Sequence, residues 1–445
     1  MIGMKILKKI CLLLAISNAC LVTVAQAASG DLDPTFGTAG RSVINFGTRD
    51  LALAMTRDAA DNLYLVGVDD YPATRVTIAK IDSSGAPVTG FGTAGKVALT
   101  VGASPYDYAS AVAVDIAGNI YVAASSNNAG SEDFAIIKLN ANGQLASNFG
   151  NAGVARIDIA GGSDDIATAL VLDPAGSIYA TGIADVPGGT KDIAVIKLNT
   201  AGNLATEFGI GGKIRLDING RYEGGTAMVI DAQGNLYVAG TTGTGTLSGS
   251  DMIVVKFDST GQRVSGFGSV GIAQVHLAYG SHLSAIARDP SGVLYIVGGM
   301  YLPSGTPDFV VTKLTSSGQP AQDFGTAGTQ TIGFGNASEA TGVAVDSAGR
   351  VYVGGLADVY IGNLVGIAEL TSDGALVGTF GDGGKKIIAP PANQGYSAYA
   401  ISLRDDDHIY LAGGIGYGSS ASNQGDHLVM RLQTRADMVF ANGFE

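Results

Sequence analysis

The sequence has no tryptophan and only 2 cysteines, Cys11 and Cys20. Both lie in the first 27 residues, where Lys5, Lys8 and Lys9 precede the apolar run ICLLLAISNACLVTV and the small-residue stretch Ala25 to Ala27. That order predicts a secretory signal peptide, residues 1–27, cleaved before Ala28. As a membrane anchor the run is broken by Ser17 and Asn18, and as a lipoprotein signal ending at Cys20 it carries Ser17 where an apolar residue is usual. A chain cut before Ala28 has no thiol, which excludes disulfides, thiolate metal centres and cysteine nucleophiles and leaves its stability to packing. No later run is apolar enough for a membrane span. Basic charge is scarce too: without its three signal lysines the formal net charge falls from −13 to −16. Such a surface argues against nucleic acid and anionic lipid as partners and permits a cation. A sustained helical period is absent, and 66 glycines suit a turn-rich all-β chain.

What is present is repetition. Tyr64, Tyr121, Tyr179, Tyr237, Tyr295, Tyr352 and Tyr410 follow one another at 57 or 58 residues, and Phe-Gly-x-x-Gly begins at Phe36, Phe91, Phe149, Phe208, Phe267, Phe324 and Phe380. Each unit reads as four short strands joined by turn residues, as in ASAVAVD (109–115), NIYVAA (119–124), FAIIKLN (134–140) and GVARIDI (153–159). Their apolar residues are consecutive, so both sheet faces are covered. The expected fold is a seven-bladed β-propeller with four antiparallel strands per blade, over 28–435. Ala54, Ala111, Ala169, Ala227, Ala285, Gly342 and Ala400 place a small side chain at the same point of every unit, as an innermost strand requires. The chain is also out of phase with its repeat: it opens with a Phe-Gly strand at 36–47 and ends with HLVMRL at 427–432. The N-terminal strand is therefore expected to complete the last blade and close the ring, which removes its exposed edge. A β-solenoid would instead carry distinct caps.

The segments LDPTFGTAG (32–40), AVAVDIAGNIYVAA (111–124) and DFAIIKLNANGQLASNFGNAG (133–153) resemble the delta-60 repeat family of exported bacterial proteins, and the unit is similar to NHL and SBBP propeller repeats. The resemblance implies a propeller but no activity. Two units depart from it, the first with Asp61 for the turn glycine and the last with Arg404 and Asp407 in RDDDHIY. Residues 436–445, ADMVFANGFE, fall outside the repeats and resemble C-terminal tails of exported proteobacterial proteins, either a sorting signal or a loose end. The lack of tryptophan weighs against the quinone-cofactor propellers and, less strongly, against a sugar-stacking platform.

Chemistry is sparse. Asp58, Asp115, Asp173, Asp231, Asp289 and Asp346 open tight turns and are expected to bond turn amides rather than a metal. Lys80, Lys138, Lys197, Lys256 and Lys313 read as solvated or edge positions, and His276, His282, His408 and His427 as scattered surface residues without zinc spacing. Eight residues before the turn aspartate stand Asp50, Asp107, Asp165 and Glu223, followed by Ser281, Ser338 and Tyr396. Four carboxylates at a channel mouth would suit Ca²⁺; otherwise each orders its own loop. No other cofactor is expected. The second-to-third-strand loops diverge between units while the other turns repeat, and Tyr71, Tyr106, Tyr108, Tyr222, Tyr301, Tyr360, Tyr396 and Tyr417 fall on that side as candidate ligand-binding residues. The expected role is an exported, monomeric, non-catalytic module, secreted, on the cell surface or periplasmic, that binds an envelope protein or glycan. The alternative is a hydrolase or lyase working over the channel.

Overall fold

In a computed structural model the chain is described over residues 28–434, apart from 48, 70–73, 103–106, 129, 187–188, 219, 244–248, 304–305, 359–363, 393, 405–407 and 418–424. The described residues form seven four-stranded antiparallel sheets and no helix. Blade one is Asp50–Arg57, Leu63–Asp69, Arg75–Ile81 and Lys96–Leu99. The next five span 107–157, 165–216, 222–275, 281–332 and 339–388. Blade seven takes Gln394–Arg404, His408–Tyr417 and Gly425–Gln433 from the C-terminal end and Arg41–Ile44 from the N-terminal end, Arg41 lying opposite Met430 and Ile44 opposite His427. The second strand of blade one is buried along its whole length, as expected of a sheet sandwiched between neighbours.

Each repeated residue does a local job. Asp115 Oδ1 accepts from the amides of Ala117 and Asn119 at 2.9 Å, while Oδ2 accepts from Asn119 Nδ2 at 2.7 Å and from the Tyr121 hydroxyl at 3.2 Å. One carboxylate thus shapes the hairpin and satisfies the phenol that the strand buries. That tyrosine packs edge-on against the phenylalanine of its own blade, and all seven Tyr–Phe pairs recur at 5.7–6.3 Å between ring centroids. In Phe-Gly-x-x-Gly the first glycine has positive φ, 52° at Gly92, and an added Cβ there would lie 2.2 Å from the Lys96 carbonyl oxygen. Its amide donates to the next blade, from Gly92 to the Asn142 carbonyl at 2.8 Å and from Gly381 to the Ser29 carbonyl at 2.9 Å. The N-terminal segment therefore replaces a whole hairpin turn as well as a strand.

The lysines differ from expectation. Lys80, Lys138, Lys197 and Lys256 place Nζ 4.9–5.3 Å from the ring centroids of Tyr64, Tyr121, Tyr179 and Tyr237. They roof the aromatic pairs as cation–π partners. In blade seven the corresponding Arg431 lies over Phe36 and pairs with Asp33 at 2.7 Å. The two departures from the repeat meet at the same seam, where Asp61 pairs with both Arg57 and Arg404.

A feature the sequence did not announce is a β-bulge in every inner strand, at Leu53, Ser110, Thr168, Thr226, Ser284, Thr341 and Tyr399. At three of them the hydroxyl reaches the next blade: Ser110 Oγ donates to the Ala167 carbonyl, Thr168 Oγ1 to that of Gly225 and Thr341 Oγ1 to that of Ala398, each at 2.8 Å. The bulge re-aims a hydroxyl across the gap between blades.

Candidate functional site

The inner strands enclose a central channel of about 820 Å³. Its waist is lined by Ala54, Ala111, Ala169, Ala227, Ala285, Gly342 and Ala400, the seven small positions anticipated from the repeat, and by the bulge residues. Met55, Leu170, Met228, Ile286, Val343 and Ile401 line it towards the constant-turn end and make that end apolar. Tyr108, Glu132, Glu339 and Leu356 line it towards the end that carries the second-to-third-strand loops.

Asp50, Asp107, Asp165 and Glu223 do not ring this mouth. None of them lines the channel, and each is buried between blades. Asp50 accepts from the Phe46 amide, Asp107 from those of Val101 and Gly102, Asp165 from those of Ile159 and Ala160, and Glu223 from the Ile218 amide and the Thr242 hydroxyl. Each fixes the crossover leading into its own blade, the loop-ordering role set against a shared cation site. The reason is strand alternation: Asp107 turns into the sheet, so Tyr108 turns to the channel. Asp165 is pushed up to about 6 by burial, the Asp158 and Asp133 charges adding to it against the amide bonds; Glu223 is raised mainly by burial.

Of the tyrosines, Tyr108 is 43% exposed at the rim, and Tyr222, 39% exposed at the start of the inner strand of blade four, has Lys191 Nζ 5.7 Å from its ring centroid. Tyr301 is half-buried beside the His282 ring. Tyr396, 1% exposed, is a correction: it belongs to the packed interior near Tyr352 and Ile415, not to a docking surface. Tyr71, Tyr106 and Tyr360 lie outside the described residues, as does the Tyr417 side chain. Sequence reading missed Tyr279, 50% exposed in the crossover into blade five, and Tyr399, which lines the channel.

The histidines are paired, not scattered. His282 Nε2 lies 2.7 Å from Glu339 Oε1, His408 Nε2 3.1 Å from Asp33, and His276 Nδ1 2.7 Å from Asp251. His427 is fully buried, with Nε2 3.1 Å from the Thr77 hydroxyl, and burial depresses it to about 3. The His282–Glu339 pair joins blades five and six at the rim, the one acid–base couple among the described residues that reaches the channel.

Comparison with known proteins supports a β-propeller repeat family. Residues 97–130 match the family described as a beta-propeller repeat, SBBP, and residues 118–149 match DUF5122, described as a beta-propeller domain of unknown function. No curated protein matches the sequence. Among solved structures the chain is similar to the polysaccharide lyase Uly1, at 9% identity and a TM-score of 0.46 over 91% of this chain and 92% of that one. A protein of unknown function from Dyadobacter fermentans is similar at 10% identity and 0.43, over 90% and 100%. The NanB sialidase of Streptococcus pneumoniae is similar at 10% and 0.42, over 89% and 70%. These likenesses carry no argument about ligand or activity.

Proposed function

We propose that this chain is an exported, monomeric propeller that binds a protein or glycan of the cell envelope without catalysis, the partner docking over the variable-loop end of the channel. The observation that carries this reading is an 820 Å³ channel lined at one rim by an exposed Tyr108, Glu132 and Glu339, at the end where the loops diverge. Tyrosine offers a large amphipathic surface at little entropic cost, and truncating such an anchor commonly costs about 2 kcal/mol or more. The test is to screen the protein from residue 28 onward against envelope polysaccharides, whole envelopes and proteins, then repeat with Tyr108→Ala and Tyr222→Ala. Affinity is expected to drop roughly tenfold or more with the fold intact. Unchanged affinity in both variants, with loss on Ile116→Asp at the opposite end, where Ile116 projects into solvent, overturns the choice of face.

The second reading, a hydrolase or lyase, is favoured by the His282–Glu339 couple beside Tyr301 at the rim. A histidine oriented by a carboxylate is a competent general base. If a polysaccharide panel reveals turnover, His282→Ala should abolish it; turnover that survives removes this assignment.

A further inference from the structure

We propose that the clefts between blades two and three and between blades three and four each hold a hard divalent cation of the calcium class, on Asp133, Asp158 and Asp165 in one and on Asp192, Asp217 and Glu223 in the other.

The two clusters are the same construction one repeat apart. Phe134 pairs with Ile157 and Ile193 with Leu216, so Asp133 and Asp158, and likewise Asp192 and Asp217, flank the end of the ladder between third and outer strands. The next blade's inner strand brings in Asp165 or Glu223. In each cluster a carboxylate oxygen from every member lies within 4.8 Å of the other two. Calcium–oxygen distances of about 2.4 Å keep any two ligands of one ion no more than about 4.8 Å apart, a limit that each set of three oxygens meets.

A separate observation points to a ligand. Asp165 is fully buried, and although Oδ2 accepts two amides, Oδ1 has no partner. Asp192, 3% exposed, repeats this: Oδ2 faces Arg215 Nε at 3.2 Å and Oδ1 has none. A buried carboxylate oxygen without a donor is unfavourable until a proton or a metal ion joins it, and these two belong to side chains grouped with further carboxylates. Asp158 and Asp217 are exposed, which leaves each cleft open to solvent. Arg156 acts on Asp133 and Arg215 on Asp192, so each cleft retains about two net negative charges for the ion.

The other blades act as internal controls. Between blades four and five the equivalents are Asp251, His276 and Ser281, and both Asp251 oxygens are occupied by protein donors, Gln274 Nε2 at 2.6 Å and His276 Nδ1 at 2.7 Å. Between blades one and two, Arg75 stands at the register of Asp133. Among the described residues, three acids that could share one ion coincide in these two clefts alone.

The inference does not depend on what docks at the channel. The test is calorimetric titration of the EDTA-treated protein, residue 28 onward, with CaCl₂. Two ions per chain are expected, with a rise in melting temperature. Asp158→Asn and Asp217→Asn should each reduce the stoichiometry to one, and together to none. Absence of both heat and melting shift at millimolar CaCl₂, a wild-type stoichiometry other than two, or two ions still bound by the folded double variant overturns the proposal.

Discussion

Removing residues 28–44 should unfasten the ring. The deletion takes away the outer strand of blade seven together with Phe36, fully buried against Tyr410 at 5.7 Å, Ile44, 3% exposed, and Asp33, the partner of Arg431. Loss of a buried phenylalanine costs about 3–5 kcal/mol and of a buried isoleucine about 2–5. Stranding a buried guanidinium costs about 3–5 more. The contacts are adjacent and not additive, so the lower ends, about 8 kcal/mol together, are the safer figure. That rivals the whole stability of an ordinary domain, about 5–15 kcal/mol. At roughly 2 cal/mol/K of unfolding entropy per residue, a chain of about 400 residues that still folds should melt on the order of 10 °C lower. Differential scanning calorimetry suits the comparison, since a chain without tryptophan gives weak fluorescence. A peptide of residues 28–47 added in trans should restore much of the loss. A truncated protein melting within about 2 °C of the full one would refute closure by the N-terminal strand.

Phe208→Ala, an interior copy of the aromatic pair, should cost about 3–5 kcal/mol in urea unfolding; a cost under about 1 kcal/mol would deny the pair its role. His427 stays neutral when folded, so between pH of about 6.5 and 3 the unfolded chain binds the extra proton and stability falls as pH drops, by up to about 1.4 kcal/mol per unit. His427→Gln should flatten that slope, and parallel slopes would contradict it. Burial opposes ionisation of Asp115, but the bonds from Asn119, Tyr121 and the turn amides outweigh it and hold its carboxyl below the usual range. Its contribution is therefore present above pH of about 4 and lost as pH falls through the folded value; Asp115→Ala should cost about 1–3 kcal/mol at pH 7 and progressively less as pH falls below about 4.

The fold was legible because its recurring residues act locally. Asp115, Tyr121 and Phe149 shape one hairpin, one packed pair and one turn, so each leaves the same mark in every copy. The phase of the repeat exposed the closure, since a strand missing at one end and extra at the other can only pair across the ring. The bulges left no mark: leucine, serine, threonine and tyrosine all occupy the site, because the extra residue is set by backbone register and not by side-chain type. That silence hid which residues face the channel. Counting from the turn aspartate selected Asp107 and Asp165, but alternation along the inner strand sends them between blades and their followers to the channel. The lysines were misread for a related reason, as only the fold brings the Tyr and Phe rings beneath them.

Those followers are where the copies cease to agree. One residue beyond the carboxylate position the chain reads Leu51, Tyr108, Ile166, Gly224, His282, Glu339 and Ser397, seven different residues in seven blades. Beside them the small residues of the waist barely vary, and the turn aspartate recurs in six units. A position that folding constrained would resemble its counterparts, because all seven sit in the same local geometry. Tyr108, Ile166 and Glu339 from this set line the channel, and His282 bonds Glu339. The asymmetry of an otherwise repetitive ring is thus concentrated at one rim, with an exposed tyrosine on blade two and a histidine–glutamate couple across blades five and six. A partner recognised there would meet the ring in one rotational setting, since no other pair of adjacent blades presents the same side chains.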